Sequence, residues 1–134
     1  MRNNQYVFPL KFLILLCLIV LFAGNSEAQD PEWSVTTSGT TDGVALSADG
    51  HYMATASDNY VHLYDVWNQT TLWNYTETNA EFNTVRISFD GSYIAAGNDY
   101  SCSASVSVFD KNLTGDEPLW TYETSGSNIE SLDM

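Results

Sequence analysis

The 134-residue chain is 44% hydrophobic and 13% aromatic, enough apolar material for the core of one modest domain and too much for a disordered tail. Its formal net charge of −13 repels phosphate backbones and argues against a nucleic-acid-binding role.

Taken in order, the chain begins with Arg2 and Lys11 around the start of an apolar run, Phe12 to Phe22, followed by Ala23-Gly24-Asn25-Ser26-Glu27-Ala28. A basic start, a short apolar stretch and small residues before a cut after Ala28 are the marks of a secretory signal over residues 1–28. The apolar run falls well short of the roughly 20 residues that a helix needs to cross a bilayer, so no transmembrane span is expected. Loss of this segment leaves Arg86 and Lys111 against 16 acids, a net charge near −14. Such an acidic excess reads as the solvating surface of a secreted, cell-surface or periplasmic protein rather than a cation-binding face, and no Asp-x-Asp-x-Asp loop is present. Cys102 becomes the one remaining cysteine, a partner for another chain or, ahead of that, a buried bystander or half of a disulfide whose mate lies elsewhere. Sequons at Asn68, Asn74 and Asn112 are glycosylation candidates in an exported chain.

Residues 29–134 read as sheet throughout, because apolar positions alternate or run continuously over four to six residues with no 3.6-residue stripe. Asp30-Pro31-Glu32 breaks regular structure, and Trp33–Thr37 reads as a strand rich in β-branched and aromatic residues. That strand recurs: Trp33-Ser-Val-Thr-Thr matches Trp73-Asn-Tyr-Thr-Glu and Trp120-Thr-Tyr-Glu-Thr. A second unit recurs as well, since the Ser-x-Asp-Gly turns Ser47–Gly50 and Ser88–Gly91 stand 41 residues apart, within the period of four-stranded propeller blades.

Four strands are expected in each repeat: Val44–Ser47 and Val85–Phe89, Tyr52–Ser57 and Tyr93–Asn98, Val61–Tyr64 and Val106–Phe109, Thr71–Thr76 and Leu119–Glu123. Asp49-Gly50 and Asp90-Gly91 supply the positive φ of a tight hairpin. Extra residues around Asp99–Ser103 and Asn112–Asp116 account for the longer Trp73-to-Trp120 interval, in turns where insertions are tolerated. The fold expected is therefore all-β: four-stranded antiparallel propeller blades in an incomplete ring, with an outer strand at 33–37, blade one at 43–77, blade two at 84–124 and the start of blade three at 128–134. Propellers close with about four to eight blades, so the remaining blades are expected in further sequence of the same chain. A trimer of two-blade chains would leave a gap in the split blade. Residues 29–134 alone are expected to self-associate through exposed apolar faces and strand edges.

The run Val85-Arg-Ile-Ser-Phe-Asp-Gly-Ser-Tyr-Ile-Ala-Ala-Gly-Asn98, followed by Val106-Ser-Val-Phe-Asp110, resembles a WD-repeat-type β-propeller. The Leu72-Trp-Asn-Tyr75 and Leu119-Trp-Thr-Tyr122 pieces are similar to the tryptophan-bearing strand of quinoprotein-like propeller repeats. The Trp-Asp pair of WD repeats is Tyr64-Asp65 in one blade and Phe109-Asp110 in the other, and no Gly-His dipeptide precedes either inner strand. The resemblance covers residues 33–134 and implies the fold, while propellers host scaffolds, lectins and enzymes alike.

No reactive constellation stands out. His51 and His62 have no Cys or His partner at metal-ligand spacing, and Ser47 and Ser88 repeat as turn residues, which a nucleophile has no reason to do. Trp33, Trp73 and Trp120 recur in register and read as docking between blades. Two pattern-breaking residues are the candidate ligand contacts. Arg86 replaces Ala45 on the inner strand and is expected either to hold an anion or, more often, to pair with a nearby acid; Trp67 lies without a counterpart in the loop before an outer strand. The chain is accordingly expected to be part of a noncatalytic exported scaffold or binding domain for protein or glycan partners, with no metal or cofactor. The alternative is the N-terminal part of a propeller enzyme, a quinoprotein-like dehydrogenase or a hydrolase, whose active site lies on other blades.

Overall fold

β-Branched and aromatic residues on alternating positions, punctuated by Asp-Gly and Asp-Asn turns, give eight strands: β1 Thr41–Leu46, β2 Tyr52–Ser57, β3 Tyr60–Asp65, β4 Thr70–Thr76, β5 Phe82–Ile87, β6 Tyr93–Asn98, β7 Ser105–Asp110 and β8 Trp120–Glu123. The structure, a computed structural model, describes residues 30–99, 104–112, 117–125 and 128–134. The strands form two four-stranded antiparallel sheets, ordered β1-β2-β3-β4 and β5-β6-β7-β8, and the two sheets close no ring. The described residues contain no helix. The secretory signal expected at residues 1–28 and the lone Cys102 lie outside the described residues.

The sheets repeat one another pair by pair. Val44 faces Thr55 across the β1/β2 ladder as Val85 faces Ala96 across β5/β6, 41 residues on. Both first ladders slip at the same place, between Thr41 and Gly43 and between Phe82 and Thr84. Further along, Leu63 faces Trp73 as Val108 faces Trp120, so equivalent positions become 45 and then 47 residues apart. The extra residues fall between β6 and β7 and between β7 and β8.

Because successive side chains in a strand point to opposite faces, cross-strand partners line up in rows on each face. On one face of sheet one the rows Ala45-Ala54-Leu63-Trp73 and Gly43-Ala56-Val61-Tyr75 run across all four strands. These lie against Phe82, Val85, Ile87, Ile94, Ala96 and Phe109 of sheet two, and together they make the core. Trp73 and Tyr75 fill its outer part, with ring centres 5.5 and 4.9 Å from Phe109. The inner strands converge so closely at Gly43 that a β-carbon there would stand 3.1 Å from the Val85 amide nitrogen, which is why a small residue holds this position.

Residues 33–37 and 128–134, expected as strands, pair with no strand among the described residues. A segment becomes a strand only by sharing hydrogen bonds with another, and neither is paired in a sheet among the described residues. Both segments instead lie against a sheet face. Trp33 meets Tyr64 edge-on with ring centres 5.8 Å apart, and the Ile129 side chain sits over Gly97 and Thr84.

Candidate functional site

The Ser-x-Asp-Gly turns at the β1/β2 and β5/β6 corners are built alike. Ser47 Oγ donates to Asp49 Oδ1 at 2.6 Å and accepts from the Tyr52 amide at 2.9 Å. Ser88 Oγ donates to Asp90 Oδ1 at 2.8 Å and accepts from the Tyr93 amide at 3.0 Å. Gly50 and Gly91 stand at φ +70° and +72°, a region that costs an L-residue about 1–2 kcal/mol, and donate to the Ser47 and Ser88 carbonyls at 2.9 Å. Each aspartate is thereby held ionised. The Ser92 amide, followed by the Ser88 and Ser92 hydroxyls, lowers Asp90 to about 2, and the Ser47 hydroxyl followed by the His51 amide lowers Asp49. Hydrogen bonds to the charged form cause both shifts. A bond from the Ala48 amide to the Phe89 carbonyl, 3.2 Å, ties the two turns together.

Upon this repeated frame sit residues that do not repeat. His51 of blade one, where blade two has Ser92, is sandwiched between Tyr52 and Trp67, with ring centres 4.3 and 4.1 Å away and planes within 13° and 10° of parallel. Its Nε2 lies 3.3 Å from Asp65 Oδ2. Asp65 is fixed in turn by Asn68, whose amide and Nδ2 donate to Oδ1 and Oδ2 at 2.9 and 2.8 Å; these bonds, the amide first, lower its pKa. From blade two, Lys111 Nζ reaches the Tyr52 hydroxyl at 3.3 Å and stands 4.4 Å from the centre of that ring, a cation–π contact. The Lys111 carbonyl accepts from Trp73 Nε1 at 3.0 Å. The result is a continuous stack, Trp67-His51-Tyr52-Lys111, running from blade one onto blade two along the turn end of the sheets. Trp67 is 66% exposed and Phe89, the counterpart of Ala48, is 83% exposed, so this end presents two large apolar side chains to solvent.

Other expected contacts lie elsewhere. Arg86 sits on the opposite face of sheet two from the core, in the row Arg86-Ala95-Val108-Trp120. Its guanidinium donates to the Val85 carbonyl at 2.9 Å, and no acid pairs with it among the described residues, contrary to the ion pair expected from its lone charge. The row explains why: its strand neighbours are alanine, valine and tryptophan. Asn74 and Asn112 are exposed, and Asn112 donates its amide to Asp110 at 2.7 Å. Asn68 is exposed too, but the nitrogen a glycan would join is bound to Asp65.

At the far end of the strands a cleft of about 200 Å³ is lined by Glu77, Asn79, Asn98, Ser105 and Glu123 among others. Among the described residues no group of three or more His, Cys, Asp or Glu is placed to hold a metal. Sequence reasoning found Trp67 but not its partners His51, Tyr52 and Lys111, nor Phe89. The available signal was the same break of repeat that singled out Arg86: Ser92 for His51 and Ala48 for Phe89.

Residues 32–65, spanning β1 to β3, match the family model described as WD domain, G-beta repeat. No curated protein matches the chain. That match over three strands of the first sheet, with the same four-stranded plan built again in the second, fits two blades of a WD-repeat-type β-propeller.

Proposed function

We propose that the chain serves as a noncatalytic binding domain of an exported β-propeller protein and that its partner contact is the turn end carrying Trp67 and Phe89. The WD-type match and the paired sheets support a scaffold or binding role. The observation that carries the assignment of the surface is the stack of Trp67 on His51. A side chain held rigidly by a neighbour, yet open on its other side, gives up little rotamer freedom when a partner covers it, and aromatic anchors of this kind dominate interfaces. Export is supported by the basic and apolar pattern before Ala28. A protein partner is favoured by the mixed surface, in which two exposed apolar rings share the turn end with the exposed Asp49 and Asp90.

The test is to pan a displayed peptide library on the wild-type chain and on Trp67→Ala with Phe89→Ser, and to apply both to a glycan array. The reading expects peptides enriched on the wild type and absent from the variant. Equal enrichment on both would remove the surface from the account, and signal on glycans alone would transfer the partner to carbohydrate.

A further inference from the structure

The cleft at the strand ends away from the Trp67 stack is formed by the junction of the two sheets themselves. One wall is the β4/β5 turn from Glu77 to Ala80. This turn is held by bonds from the Glu77 amide to the Asn59 carbonyl at 3.1 Å and from the Ala80 amide to the Glu77 carbonyl at 3.3 Å. The other wall is the end row of sheet two, Asn98-Ser105-Glu123, which continues across the strands from the core residue Phe82 and so faces sheet one. The equivalent row of sheet one is Ser57-Tyr60-Thr76. Serine in place of tyrosine leaves room at this wall, and glutamate in place of threonine adds a charge.

The lining is rich in hydrogen-bond acceptors that have no cation. Among the described residues the ion pair is that of His51 with Asp65, so neither Glu77 nor Glu123 has a basic partner. Arg86 and Lys111 are engaged elsewhere, with the Val85 carbonyl and the Tyr52 ring. Ser105 is 4% exposed, and its hydroxyl is buried with no hydrogen-bond partner among the described residues. Its amide, by contrast, is satisfied by Asn98 Oδ1 at 2.8 Å. A buried hydroxyl left unpaired carries a desolvation cost that a bound donor removes.

We propose that this cleft binds a guanidinium group, as borne by an arginine side chain of a peptide. A guanidinium has five N–H donors and no acceptor, which matches a lining of carboxylates, side-chain carbonyls and an unpaired hydroxyl. Its planar fork pairs with carboxylates through two bonds at once, and it gives up water more readily than an ammonium does. The volume of about 200 Å³ exceeds what a bare ion fills, and among the described residues no third acid joins the two glutamates to hold a metal. The net charge of −13 draws a cationic ligand toward the chain. The cleft and the Trp67 surface lie at opposite ends of the strands, so either assignment can fail alone.

The experiment is an amide NMR titration of the full chain with N-acetyl-arginine methylamide, at a concentration where the chain is monomeric. Saturable shifts are expected, centred on the amides of Glu77, Asn79, Ser105 and Glu123. The citrulline analogue, of the same outline but uncharged, is expected to bind about tenfold more weakly, as is arginine to Ser105→Ala, which withdraws one acceptor. Glu77→Gln with Glu123→Gln is expected to abolish the shifts. Should either variant lose β-sheet circular dichroism, the wild-type shift map and the citrulline comparison carry the test. Shifts that are absent or spread over the acidic surface would overturn the proposal, as would unchanged binding by a folded variant. So would a lysine or citrulline analogue that binds as tightly as arginine, or calcium chloride that gives the same shifts and displaces the arginine.

Discussion

Trp73 and Trp120 occupy the same place in the two blades, opposite Leu63 and Val108 on the third strand. Yet Trp73 is 6% exposed and donates its indole N–H to the Lys111 carbonyl, while Trp120 is 53% exposed. Strand, register and residue type are shared, so the difference comes from the neighbouring sheet alone. A propeller blade is locally encoded by its own alternation and turns, whereas the stability its large side chains confer is supplied by the adjacent blade.

This contrast can be tested by removing the same atoms from both sites. Trp73→Ala is expected to destabilise the chain by about 3–5 kcal/mol, the usual cost of deleting a buried aromatic, and Trp120→Ala by about 0.5 kcal/mol or less in the monomer. Chemical denaturation of the two variants measures both, and equal losses would contradict the different roles assigned to the blades. A smaller gap is expected at the turns. Gly50→Ala meets open space and carries only the φ penalty, about 1–2 kcal/mol. Gly91→Ala carries that penalty and also places a β-carbon 2.6 Å from Tyr52 Cδ2, so its midpoint should fall further than that of Gly50→Ala.

The blades also differ in their response to acid. His62, on the outward face of sheet one between the rings of Tyr60 and Tyr64, has its pKa lowered from 6.5 by desolvation. The unfolded chain therefore takes up a proton at a higher pH than the folded one, and stability falls as pH drops from about 6.5 through the lower folded value. Blade two has Ser107 at this position, so His62→Gln should flatten that part of the stability profile. Asp90 acts in a lower window. With its folded pKa depressed from 3.8 to about 2, its contribution is complete above about pH 3.8 and is lost as pH falls through 2. Asp90→Asn should reduce the acid sensitivity only in that range, the smallest of the expected effects because the group is exposed.

Most of the fold was legible in the sequence because a blade is a local object. The Ser-x-Asp-Gly turns, the alternation in β3 and β7 and the recurring tryptophans each specify a strand or corner from fewer than ten neighbouring residues. Segments 33–37 and 128–134 carried the same patterns but form no ladder among the described residues, since pairing needs a second strand that no local pattern supplies. The site was less legible for a related reason. Trp67 and His51 come from two turns that the pairing of β2 with β3 brings to one end of sheet one, and Lys111 joins them only because sheet two stacks on sheet one. Arg86 was visible as a break in the repeat, yet its lack of an acid partner among the described residues depends on which residues share its cross-strand row.

The account turns on equivalent faces having inequivalent cover. The most direct measurement compares two single-tryptophan chains, one retaining Trp73 and the other Trp120, with the remaining tryptophans changed to phenylalanine, at a concentration where the chain is monomeric. Fluorescence from Trp73 is predicted to be blue-shifted and shielded from acrylamide, and that from Trp120 red-shifted and readily quenched. Indistinguishable emission and quenching at the two positions would contradict the account.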